Sequence, residues 1–169
     1  MLKKLILLFL MFSAAGASAN DVCFSPGKCS DKLVSFVASA KKSVDVAVYL
    51  LTYKPISDAL IAQHKNGVTV RVVVDAGESG IPTSKVAALA AAGIPVKYGV
   101  QSGSGIMHDK FIVVDGTMLE TGSFNFTQSA TMINQENQVY LNDASIVALY
   151  VSHFNAMWVA SSVTKKVKK

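Results

Sequence analysis

Apolar positions along this chain switch between two periods, and the switches mark its elements. Leu33, Phe36, Val37 and Ala40 recur at helical spacing behind Ser30, a residue type that caps helices, so a helix is expected over residues 30–42. Residues 43–52 contain the β-branched run VDVAVYLL and predict a largely buried strand. Pro55 suits a helix start. Ile56, Ala59, Leu60 and Gln63 continue that stripe to a stop at Gly67. A second buried strand, VTVRVVVD, is expected over residues 68–75. A glycine-containing loop over 76–81 and an alanine-rich helix over 82–92, ended by Gly93, come next. Residues 95–98 read as a short strand. A Gly/Ser-rich stretch, 99–105, leads into a strand over 110–114, a hairpin turn at Asp115-Gly116 and a return strand over 118–121. Residues 137–141 form another strand, and Asp143 can cap a last helix from 144 to about 162. Its apolar residues Ile146, Val147, Leu149, Tyr150, Phe154, Met157 and Trp158 read as core.

Strands alternating with helices in this order predict an α/β fold. We expect a mixed, mainly parallel β-sheet flanked by helices on both faces, within a single domain. Residues 1–19 stand apart from it. Lys3 and Lys4 precede an apolar run over 5–12, and Ala17-Ser18-Ala19 is a small-residue cleavage site. The run is shorter than the roughly 20 residues a bilayer span needs. A signal peptide cleaved near Ala19 is expected, leaving residues 20–169 as the mature domain in the periplasm or outside the cell.

Charge changes meaning once that segment is removed. The whole chain is +5, and loss of Lys3 and Lys4 leaves +3. Lys165, Lys166, Lys168 and Lys169 supply four of the remaining positive charges, so the body without them is −1. The basic character therefore belongs to the tail, which suits contact with a polyanion or a solvated helix end. Cys23 and Cys29 are the two cysteines, with Pro26 and Gly27 between them. Export implies an oxidising compartment, so a local disulfide is expected. Two thiols without a nearby His are too few ligands for zinc.

The candidate chemistry lies in residues 106–128, IMHDKFIVVDGTMLETGSFNFTQ. His108 and Lys110 alternate at the start of a strand, so imidazole and ammonium share one side while Asp109 and Phe111 face the other. Ser123 and Asn125 repeat that spacing behind Gly122, which lets backbone approach a ligand closely. A nucleophile or proton donor, a fixed cation and two hydrogen-bond donors suit reaction at a phosphate ester. No acidic cluster suited to a divalent metal accompanies them, and no cofactor is expected. A nucleophilic imidazole needs its second ring nitrogen held, and Asp109, Asp115 and Glu136 are the candidate carboxylates. Asp109 faces away. Asp115 suits the turn. Glu136, at the mouth of a strand, is the preferred partner.

With these residues in place, His108-x-Lys110, Asp115 and Gly122-Ser123-x-Asn125 resemble the HxKxxxxD…GSxN signature of the phospholipase D superfamily. Every position is filled at the expected gap. The resemblance spans the mature domain in length and element order. It is closest to the superfamily's short, exported bacterial endonucleases, where Glu136 matches a histidine-orienting glutamate. It implies a phosphohistidine on one His, protonation of the leaving oxygen by a second, and hydrolysis by water. Two motif copies are needed, and this chain has one. His64 and His153 lack a lysine two residues on and the trailing Gly-Ser-x-Asn. The resemblance thus implies a homodimer in which His108 is nucleophile in one subunit and general acid in the other. Lys110, Ser123, Asn125 and Gly122 would hold the phosphate, with Asp115 structural. The expected activity is metal-independent hydrolysis of DNA, and of RNA as a further substrate. The alternatives are a phospholipid phosphodiesterase and a phosphate- or nucleic-acid-binding protein without turnover.

Overall fold

The computed structural model describes residues 20–99 and 105–162. The expected signal peptide, most of the Gly/Ser-rich stretch and the lysine tail lie outside the described residues.

Alternation along the central strands sets the layers. In β2 (Ser43–Val48), Val44, Val46 and Val48 turn to one side and Ala47 to the other. In β3 (Thr69–Val74), Val70, Val72 and Val74 oppose Val73, and in β5 (Lys110–Val114), Ile112 and Val114 oppose Phe111 and Val113. One face is covered by α1 (Cys29–Ala38), α2 (Lys54–Lys65), α3 (Val86–Ala91) and the short α4 (Gln128–Met132). The other is covered by α5 (Ala144–Ala160) through Val147 and Phe154. Each such fully buried Val, Leu or Phe contributes about 1.5–3 kcal/mol relative to exposure.

Among the described residues the sheet has seven strands in the order β1-β7-β6-β5-β2-β3-β4. The outer members are β1 (Asn20–Ser25) and β4 (Val96–Tyr98), with β6 (Met118–Gly122) and β7 (Glu136–Leu141) inside. The α/β class, the mixed sheet and helices on both faces are as expected, but the parallel share is smaller. Only β2–β3 and β3–β4 pair in parallel; the other four neighbours are antiparallel. The cause is local: β5 and β6 are joined by only three residues, 115–117, with Asp115 and Gly116 at the centre of the turn, too short for a parallel crossover. Both turn residues take left-handed backbone, φ 54 and 68, as this hairpin type requires.

Two elements were not anticipated. β1 is an edge strand whose Val22 and Phe24 stay exposed, so it carries no core pattern. α4 is five residues long, below any periodic signal, and is capped by the Thr127 hydroxyl accepting from Ala130 N–H. Other boundaries shift. Helix α1 starts at Cys29 with Lys28 as cap, leaving Ser30 buried inside it. It stops at Ala38 because the N–H groups of Lys41, Lys42 and Ser43 donate to the Asp115 carboxylate instead. The alanine-rich helix begins only at Val86, after a turn closed by Ser84 N–H on Ile81 C=O. On α5, Ile146 and Leu149 face solvent rather than core. Cys23 and Cys29 form a disulfide that ties β1 to α1.

Candidate active site

The site sits where the interior strands β2 and β3 end and β5 begins. Asp75, buried just past β3, accepts from Gly77 N–H at 2.7 Å and from Met107 N–H at 2.9 Å. Tyr49, just past β2, donates its N–H to Asp109 C=O at 2.9 Å. His108 lies between these two fixed residues, and its side chain is exposed. Its ring meets the Tyr49 ring at 4.6 Å between centroids, inclined by 54°. Lys110 is 8% exposed. Its Nζ donates to His108 C=O at 2.6 Å and lies 5.4 Å from the Tyr49 centroid. Burial pushes the Lys110 ammonium below its ordinary pKa, while the charges of Asp109 and Glu136 act to raise it. An immobile cation thus stands next to an accessible imidazole.

Asp109 turns to the opposite face and meets His153 of α5 at 3.3 Å. Asp115 stays at the far end of β5. Partial burial acts to raise its carboxyl, but the N–H groups of Ser43, Lys41 and Lys42 outweigh that and hold it below the usual range. Asp115 is therefore the staple of a turn, remote from the imidazole. His64 lies in the last turn of α2.

The second half of the site follows β6. A Cβ at Gly122 would fall 2.1 Å from Asn137 C=O, so no larger residue fits. Ser123 N–H donates to Asn137 C=O and Asn137 N–H to Ser123 Oγ, both at 3.1 Å. Phe124 and Phe126 are buried, which turns Ser123 and Asn125 the other way. Phe126 locks this loop onto the end of β2: its N–H donates to Leu50 C=O, and its C=O accepts from Thr52 and Tyr53 N–H. Asn125 Oδ1 is buried without a hydrogen-bond partner among the described residues.

Within one chain, Glu136 reaches the loop beside it. Its Oε2 accepts from Ser123 Oγ at 2.5 Å and its Oε1 from Asn134 Nδ2 at 3.0 Å. Among the described residues it makes no hydrogen bond to the His108 ring. At the mouth of β7 the nearest donors belong to the adjoining loop, and the carboxylate organises Ser123 instead. The imidazole rests on Tyr49. Tyr49, Asp75 and Glu78 are contributions that pattern reading missed. Glu78 is fully buried and accepts from Leu51 N–H at 3.1 Å, holding the β2 end from below. An Asp closing a buried valine strand was the available signal for Asp75; Tyr49 looked like one more strand residue. Among the described residues no group of three or more His, Cys, Asp or Glu side chains could hold a metal ion.

Known proteins resemble this chain in sequence and fold. Residues 33–158 match the family described as cardiolipin synthase, PLD-like domain. The chain belongs to the phospholipase D superfamily. It is 31% identical to the mitochondrial cardiolipin hydrolase of Xenopus tropicalis, covering 88% of this chain and 75% of that protein. A phospholipase D of Rickettsia prowazekii is likewise 31% identical, with 86% and 71% covered. In structure, the phospholipase D family member Nuc of Salmonella typhimurium has a TM-score of 0.78 at 34% identity, covering 85% of this chain and 96% of that one. NucT of Helicobacter pylori, 23% identical with TM-score 0.77, shares the fold. The chain spans 60% of the Xenopus laevis cardiolipin hydrolase. It is a phosphodiester hydrolase of the superfamily.

Proposed function

We propose that this protein is an exported endonuclease that hydrolyses DNA, and RNA as a further substrate, without a metal ion, at a site shared by two copies of the chain. The observation that carries it is the exposed His108 imidazole fixed beside the buried Lys110 ammonium, once per chain. One imidazole cannot both attack phosphorus and protonate the leaving oxygen. In the dimer, His108 of one copy attacks, the phosphorus–oxygen bond to the leaving strand breaks, and His108 of the other copy protonates the released oxygen. Water then attacks the phosphohistidine, giving its proton back to the second imidazole and freeing the first. Lys110 from both copies balances the phosphate charge, and Ser123 and Asn125 donate to its oxygens.

Support comes from several directions. The signature resembles that of short exported endonucleases, and the chain matches Nuc over nearly that protein's whole length. Exposed Met132 and Ile133, a few residues from Glu136, are suitable apolar surface for a second copy. The Cys23–Cys29 disulfide agrees with an oxidising compartment.

A second reading, a phospholipid phosphodiesterase, is favoured by the same exposed residues. Phe24, Ile106, Met132 and Ile133 are each more than half exposed and can meet a bilayer. Incubating residues 20–169 in parallel with plasmid DNA and with anionic phospholipid vesicles, in excess EDTA, separates the readings. Nicked plasmid with intact lipid is expected. Lipid headgroup release with intact plasmid would replace the nuclease reading. His108→Asn should lower plasmid nicking by at least about 10³-fold.

A further inference from the structure

A cleft of about 480 Å³ opens beside the catalytic loop, lined by residues 52–55, 83, 85 and 127–129. Its walls are tied to the site by backbone. Thr52 and Tyr53 N–H both donate to Phe126 C=O, one residue past Asn125, and Lys85 N–H donates to Leu51 C=O. The lining is rich in donors: Thr52, Thr83, Thr127 and Ser129 bring hydroxyls, and Lys54 and Lys85 bring ammonium groups. It contains no carboxylate. Lys54 is ion-paired with Asp58, which lies outside the cleft, whereas Lys85 has no ion pair among the described residues. A cationic, hydroxyl-lined cleft in a body whose net charge is −1 is not a sample of the average surface.

We infer that this cleft is a subsite for a phosphate flanking the scissile one on a polynucleotide, with Lys85 as its principal cation. The inference rests on the nuclease reading and gives it a substrate class: a chain bearing a second phosphate close to the one under attack. In such a chain every cleaved diester has another diester beside it, and the cleft adjoins the loop that holds the first. Phosphate contacts of this kind position a nucleic acid without reading its sequence. A bilayer lipid would place acyl chains near its headgroup, and Pro55 is the one aliphatic residue in the lining.

The test compares two substrates on the intact mature dimer. One is a single-stranded oligonucleotide. The other is bis(p-nitrophenyl) phosphate, a diester with no flanking phosphate. Lys85→Gln should raise KM for the oligonucleotide roughly tenfold, leave kcat nearly unchanged and lower the slope of log affinity against log salt by about one. On the small diester Lys85→Gln should match wild type, and Lys85→Arg should restore oligonucleotide KM. Equal effects on both substrates, or none on either, would overturn the subsite while leaving the nuclease reading in place. Wild type that turns over the small diester but no oligonucleotide would remove the nuclease reading, and the subsite with it.

Discussion

At the scale of single residues, the site is built from groups whose freedom has been removed. Lys110 is buried up to its ammonium and anchored on a backbone carbonyl. Ser123 is held between Glu136 and the Asn137 backbone. His108 is the exception, exposed on one side and in tilted contact with the Tyr49 ring on the other. An aromatic contact of this kind contributes about 0.5–1.5 kcal/mol, enough to hold one ring orientation in preference to another. Tyr49→Leu is therefore expected to lower kcat about tenfold with little change in KM, and Tyr49→Phe to retain most activity. Steady-state kinetics on a phosphodiester substrate check this. A Tyr49→Phe variant as impaired as Tyr49→Leu would show that the hydroxyl, not the ring contact, matters.

At the scale of elements, β6 carries a buried charge problem next to the catalytic loop. Glu120 is 1% exposed, its Oε2 has no hydrogen-bond partner among the described residues, and burial pushes its carboxyl up to about 8. The neighbouring Tyr140 hydroxyl is also raised, by burial first and by Glu120 second. In the unfolded chain Glu120 titrates near its ordinary value of about 4.3. The folded state thus retains a proton that the unfolded state releases across this window. Its contribution to stability is fully present below the unfolded value and is lost as pH rises through about 8. Thermal melting of wild type should fall between pH 5 and 9 more steeply than that of Glu120→Gln. Parallel slopes would show that Glu120 is already ionised in the fold.

The elements also show what a linear pattern can carry. The bounds of β5, the Asp115-Gly116 turn and the start of α5 at Asp143 were legible because each is encoded within a few residues. So was the catalytic signature, whose spacing along β5 and after β6 fixes which side chains share a side. β1 was not legible, because its pairing with β7 joins residues more than a hundred positions apart and its outward side chains are exposed. The antiparallel majority was hidden for the same reason: alternation of strand and helix shows order, not neighbours. Glu136 was placed in the right loop; within one chain its carboxylate accepts from Ser123 and Asn134, contacts that spacing along the chain does not specify. Tyr49 was invisible because an aromatic in a buried strand looks like core.

At the scale of the whole molecule, one feature governs the functional account: the chain holds half of the expected chemistry. Its described residues offer one exposed signature imidazole, one buried cation beside it and one donor loop, at one end of the central strands. Attack on phosphorus and protonation of the leaving oxygen need two imidazoles, and the proposed dimer takes the second from another copy of the chain. The direct measurement is to mix the mature protein with an internally labelled oligonucleotide in excess EDTA, quench within the first turnover and count label retained on protein. The account predicts label on His108 at one per two chains. Cleavage with no label on His108, or label on both chains of a dimer, would contradict it.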